Sequence, residues 1–362
     1  MAYRHRGSAL SYIFSFLALV YFFNYAATHG KKGLRLAAQI FFVLIVFFFL
    51  GRKIYSDWGD ITARDWQFDF LWLALSVVFF GGLYVGHAGG WLLILWRFHH
   101  PVPFIAGAYI WFKSLLARYV PGNVLMVVGR VMMTEPYGVP KRVTLTSVAY
   151  EQALLAASAT TVLAIALPFW PKLQNFSEVI WLVLAVPPLA IIGLHPAVLS
   201  RVGNFVFRKL GRETIEVFLP FREIIWVFFY YCLFWIVAGL GLFAMIRTVT
   251  WISWVDLPIV IASTSLAWLT SVLFFISPSG LGVREGIYAY TLDYVFLDSN
   301  GEPSVAIASA FAILCRFWQT LVELLVVLIL MVVVKTVHFK NRSQPGEKLS
   351  TVDKAAPDEK KP

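Results

Sequence analysis

Charge is what this sequence has least of. Only 14% of its 362 residues are Asp, Glu, Lys or Arg, against about 25% in a soluble globular domain. The length would allow two or three water-soluble domains, but this composition leaves too little polar surface to cover them. Cysteine is nearly absent as well. Cys232 and Cys315 stand apart inside apolar stretches, with no CxxC and no Cys/His cluster, so there is no disulfide framework. HExxH, the Walker A sequence and GxSxG are all missing. Metalloprotease, P-loop NTPase and serine hydrolase therefore have no motif behind them. No cofactor, metal ion or catalytic group is expected.

What the sequence does have is apolar. Hydrophobic residues make up 59%, including 32 Phe, 14 Trp and 15 Tyr, and the mean hydropathy is +0.74. About 20 apolar residues span a bilayer core. Runs of that kind lie near 8–27, 36–51, 68–96, 105–129, 143–169, 178–194, 221–247, 252–277 and 304–336, with a shorter piece at 285–297. The expected fold is an all-α polytopic integral membrane protein of about eight to ten membrane segments. Residues 1–30 form an extra N-terminal helix, because the first run is long for a signal peptide and lacks a good cleavage site. Residues 31–339 form the membrane domain, and 340–362 a disordered tail rich in polar residues. No soluble domain is expected.

The net charge of +10 does not point to nucleic acid, because the basic residues form no patch or stripe. They lie in short loops and in the tail, where Lys and Arg set orientation and meet anionic lipid headgroups. Arg201, Arg208, Lys209 and Arg212 place the loop 195–221 on the cytoplasmic side, and Lys335, Lys340 and Arg342 place the C-terminus there too. The connection 298–303 has no Lys or Arg and is expected outside. That requires 252–277 and 285–297 each to cross much of the membrane and to meet toward the cytoplasmic side. The expected location is a prokaryotic cell (inner) membrane.

Two apolar runs are broken. The first contains Arg118-Tyr-Val-Pro121-Gly122-Asn123 and continues to Gly129-Arg130; the second is Pro278-Ser-Gly280-Leu-Gly282-Val-Arg284-Glu285-Gly286. Proline removes a backbone donor and glycine admits unusual dihedrals, so both helices should stop there. Irregular backbone at membrane depth is tolerated only inside protein or beside a wet cavity. A pair of such breaks, one in each half, fits a transporter built from inverted repeats whose discontinuous helices frame a midplane site. Arg118, Asn123, Arg130 and Arg284 are the expected contacts to a lipid phosphate or headgroup.

Other charges stand where charge is costly: Glu151, Glu285, Arg316 and Glu323. Arg316 and Glu323 are seven residues apart and share a helix face with Gln319. They would brace or gate, or form a structural ion pair. Glu151 would neutralise Arg130 or Arg284, or bind a proton. His87, in a Gly-rich stretch, is read as a packing residue.

The order Arg118, Pro121-Gly122, Gly129-Arg130, Ser147-Val148 with Glu151, Pro278 to Gly286, and Arg316 in the last long helix resembles the lysylphosphatidylglycerol synthase transmembrane (flippase-like) family, over residues 33–336. In full-length synthases of that family a soluble aminoacyl-transferase domain makes the modified lipid and the membrane module flips it. The resemblance therefore implies a lipid-moving module here, with aminoacylation not carried over. Asn123 stands where the family often has Lys after Pro-Gly, which removes one charge from the site.

The expected function is translocation of a phosphate-bearing lipid, phospholipid or polyprenyl-phosphate-linked, through a cationic mid-membrane cavity, without intrinsic enzyme activity. Its partners would be membrane lipids and a separate lipid-modifying enzyme. Two alternatives stay open. One is a polyprenyl-phosphate-dependent glycosyltransferase using Asp57, Asp60 and Asp65. The other is a scaffold for a lipid-modifying enzyme.

Overall fold

The computed structural model describes residues 68–115, 124–170, 185–209, 219–273, 280, 282–297 and 301–342, with the single positions 52, 55 and 59. Arg118, Pro121, Gly122, Asn123 and Pro278 lie outside the described residues, as do the N-terminal segment 1–30 and the tail beyond Arg342. Among the described residues there is no strand, and one antiparallel bridge joins Leu297 to Pro303.

The helices are α1 (Phe70–Arg97), α2 (Phe104–Leu115), α3 (Val124–Thr134), α4 (Lys141–Ala166), α5 (Val186–Gly193), α6 (Pro196–Lys209), α7 (Phe221–Val249), α8 (Leu257–Leu273), α9 (Val283–Thr291) and α10 (Val305–Arg342). Five helical stretches are long and apolar enough to cross a membrane: α1, Lys141–Phe169, α7, Trp254–Leu273 and Val305–Val334. The protein is thus an all-α polytopic integral membrane protein. Helix starts follow local chemistry. The Asp69 carboxylate accepts from the Leu71 and Trp72 amides at 2.9 and 3.3 Å, satisfying donors that the first turn leaves unpaired. Pro140 and Pro220 stand at the N-caps of α4 and α7, where a missing N–H interrupts no helical bond.

α1 and α7 are the central pair and run antiparallel. At one end the Asp69 N–H donates to the Thr248 carbonyl at 3.0 Å; at the other, Arg97 forms an ion pair with Glu223. Between them, Gly86 lies against the Phe234 ring, and a Cβ at Gly90 would come within 2.6 Å of the Tyr231 ring. The small residues let the backbones close, and the Tyr230 hydroxyl then reaches the Gly86 carbonyl at 2.9 Å, a contact familiar from small-residue packing in membranes.

The run expected over 105–129 is two helices in the structure. α2 leaves the Arg97 end and rises about 18 Å. α3 returns through Gly138 (φ +74°) to the start of α4. That start lies at the Arg97 end, since Tyr150 packs on Phe98 at 5.7 Å and accepts from the Leu219 amide at 3.3 Å. The second hairpin is hung the other way. α8 begins at the Asp69 end, where Trp254 stacks on Phe243 at 4.6 Å, and descends about 25 Å. α9 comes back to that end, where Leu292, Phe296 and Ile307 join Val249 and Ile252 in one apolar cluster. α2, α3 and α9 are each shorter than a hydrocarbon core about 30 Å thick, so these three arms do not cross it alone. The units α1–α4 and α7–α10 therefore repeat one plan, long helix, hairpin, long helix, in opposite directions.

Candidate functional site

Each hairpin carries an arginine on its second arm. Arg130 of α3 is 1% exposed, and so is Glu151 of α4, with which it forms an ion pair. Its Nε donates to Ser114 Oγ on α2 at 3.0 Å. The other oxygen of Glu151 accepts from Trp111 Nε1 at 2.7 Å. The guanidinium carbon lies 4.9 Å from the Trp91 ring centre and 5.5 Å from that of Trp111, and Trp91 Nε1 is itself held by Ser147 Oγ at 3.0 Å. Below this, Thr134 of α3 and Thr144 of α4 share a hydrogen bond of 2.8 Å. Two opposite charges, two indoles and two serines close on one another. Burial of such a pair is tolerable only because its remaining hydrogen-bonding capacity is met.

Arg284 of α9 repeats the first of these contacts. Its Nε donates to Ser271 Oγ on α8 at 3.0 Å, but the side chain is half-buried rather than sealed. The turn before it is built from glycine. Gly280 has φ +69° and Gly282 φ +83°, a region L side chains adopt only at a cost. A Cβ at Gly280 would also lie 2.6 Å from Ser271 Cβ and 3.5 Å from Arg284 Nε. Glycine here lets the chain pass directly over the Arg–Ser contact. Glu285 caps the new helix, accepting from the Gly282 amide at 2.6 Å, and its other oxygen lies 3.6 Å from Arg316 Nε of α10. The acid thus pins α9 to α10, and the charge on Arg316 is met by Glu285. Glu323, two turns further along α10, is 1% exposed, and the Gln319 amide between them donates to Cys315 Sγ at 3.7 Å.

The two arginine sites are neighbours across the central pair. His87 of α1 is packed edge-to-face by Trp111, Tyr231, Phe234 and Trp235, with ring centres 6.0–6.4 Å away. Arg284 interacts with it electrostatically, while Tyr231 feels the charges of Arg130 and Glu151. Two of the arginines here have a carboxylate partner, Arg130 with Glu151 and Arg316 with Glu285, and Glu323 is buried on the same helix as Arg316.

Sequence reasoning singled out the arginines and acids but missed what holds them. Ser114 and Ser271 each sit within three residues of the end of the helix preceding a break. That shared position is a signal, visible only once the two breaks are aligned on their arginines. Trp91 and Trp111 gave none, because tryptophan in a membrane segment is read first as an interfacial residue. No three His, Cys, Asp or Glu gather as metal ligands among the described residues.

Against known proteins, a family model described as lysylphosphatidylglycerol synthase TM region matches residues 35–326. No curated protein matches the chain.

Proposed function

Because the chain belongs to the lysylphosphatidylglycerol synthase transmembrane-region family, we propose that it moves a phosphate-bearing lipid, a phospholipid or a polyprenyl-phosphate conjugate, between the leaflets of the membrane. The observation that carries this is the half-buried Arg284 at the start of α9, bonded to Ser271 of α8, while Arg130 holds the matching position in the first hairpin against Glu151. A guanidinium so placed offers charge-assisted hydrogen bonds to a phosphate, while the acyl or isoprenoid chains stay in lipid.

The division of labour follows from burial. Arg130 is committed to Glu151 and Ser114, and releasing it for a phosphate would leave a buried carboxylate unpaired. It acts as a strut between α2, α3 and α4. Arg284 takes the phosphate, Arg316 and Glu285 hold α9 against α10, and Glu323 balances charge. Arg118 and Asn123 complete the headgroup site from the first break. No chemical step is assigned to the chain, so any headgroup modification belongs to a separate enzyme. The basic loop 195–221 and tail support a prokaryotic cell-membrane protein with its C-terminus in the cytoplasm. The glycosyltransferase alternative rests on Asp57, Asp60 and Asp65, which lie outside the described residues, and nothing in the described part favours it.

The test is reconstitution in vesicles with fluorescent phospholipid and polyprenyl-phosphate analogues. The wild type should move at least one of them faster than protein-free vesicles, and Arg284→Ala should lose that advantage. Equal rates for wild type, variant and empty vesicles overturn the proposal.

A further inference from the structure

α6 takes no part in either arginine site, yet its sequence is strongly patterned. At 100° per residue, the stretch Pro-Ala-Val-Leu-Ser-Arg-Val-Gly-Asn-Phe-Val-Phe-Arg-Lys puts positions 198, 202 and 205 (Val, Val, Phe) on one side, which Lys209 joins only at the last residue of the helix. Positions 200, 201, 204 and 208 (Ser, Arg, Asn, Arg) fall on the other. No acid occurs between 196 and 212, while Arg212 follows and Arg222 opens α7. An apolar arc opposite a polar one whose only charges are positive is the pattern of a helix that lies in a membrane interface.

The fold puts α6 at the right height for this. Leu194 is buried with Tyr150 and Leu219, and His195 packs on Phe221, the first residue of α7, at 5.2 Å. The helix therefore leaves the bundle at the level where α7 begins, beside the Arg97–Glu223 ion pair. Leu199 still touches the core. By Phe205 the side chain is 63% exposed, and Arg201 one turn before it is exposed too. A phenylalanine left out of the bundle, on a helix starting at the end of the spanning segments, meets headgroups and the tops of acyl chains.

We propose that α6 lies along the membrane surface at the Arg97 end and binds anionic phospholipid headgroups through Arg201 and Arg208, with Phe205 and its apolar side sunk toward the acyl chains. The charge commits the surface to an anionic membrane: neutral lipid offers the apolar side its contact but leaves the arginines without partners. The inference is independent of lipid transport.

Hydrogen exchange of full-length protein in nanodiscs tests it, following peptides within 196–209. In discs containing phosphatidylglycerol these amides should exchange on the order of tenfold more slowly than in all-phosphatidylcholine discs, two arginines near an anionic surface providing the difference. Molar salt should erase the difference. Arg201→Gln/Arg208→Gln should abolish it while exchange in α1 and α7 is unchanged, and Phe205→Ser should weaken protection in both lipids. Equal exchange of the wild type in the two discs overturns the proposal without recourse to any variant. So does a salt-insensitive difference, survival of the difference in the double variant, or protection that appears only when a soluble protein is added.

Discussion

In the first half of the molecule Arg130 gives its Nε to Ser114; in the second Arg284 gives its Nε to Ser271, and both distances are 3.0 Å. In each the serine is on the helix before a break and the arginine on the helix after it. The surroundings then diverge. A glutamate and two tryptophans close over Arg130, whereas Arg284 stays half-buried and has a positive-φ glycine beneath it. One latch thus serves two ends. Around Arg130 an acid and aromatic rings close the contact off from its surroundings, while Arg284 keeps part of its surface open.

The sharpest way to break this contrast is to remove one partner on the sealed side. Glu151→Ala leaves Arg130 buried without its counter-charge and should cost about 3–5 kcal/mol of stability, read as thermal unfolding in detergent. Arg130→Met/Glu151→Leu, which removes both charges, should recover most of that loss. If Glu151→Ala melts with the wild type, Arg130 is no strut. On the open side, Arg284→Gln should change stability by less than about 1 kcal/mol while lipid movement falls tenfold or more, about 1.5–3 kcal/mol of charged hydrogen bonding lost to the headgroup.

Glycine separates the halves next. Gly280→Ala forces a side chain into φ +69° and onto Ser271, at a cost of about 1–2 kcal/mol from the backbone alone. Gly129→Ala, in mid-helix with only Met133 Cε nearby at 3.8 Å, should instead stabilise by about 0.5–1 kcal/mol. Unfolding of the two variants side by side decides it, and equal effects would show that the second turn is no tighter than an ordinary helix. The serines come after. Ser114→Ala should cost about 1.5–3 kcal/mol, because the donor it abandons is charged and buried, and Ser271→Ala should cost less than Ser114→Ala in the same melt. The smallest effect is expected at Arg97→Gln, since the pair with Glu223 is about a quarter exposed: under about 1 kcal/mol, and vanishing in high salt.

Much of this architecture was legible in the sequence. The long apolar runs became α1, α4, α7, α8 and α10, and Gly280 and Gly282 lie in the turn expected of them, because hydropathy and backbone freedom are local properties. Pairing is not local. Arg316 and Glu323 share a face on one helix, yet Arg316 meets Glu285 across to α9, since two turns separate the helical neighbours while α9 lies alongside. Glu151 had two plausible arginine partners at the level of sequence, and only the packing of α3 on α4 selects Arg130. The serines stayed hidden for a different reason. A serine in a membrane helix commonly bonds its own backbone, as Ser114 also does to Trp111 at 2.7 Å, so its residue type carries no sign of a second duty.

Fastening α1 to α7 at both ends has a consequence for the bundle. A hydrogen bond at Asp69 and an ion pair at Arg97 mark the ends of this pair, and the glycine faces closed on tyrosine and phenylalanine between them hold it in register. It is the fixed frame of the bundle, and the two hairpins hang from its opposite ends. The Arg–Ser latches each tie the two arms of one hairpin to one another, so each hairpin is a unit within that frame.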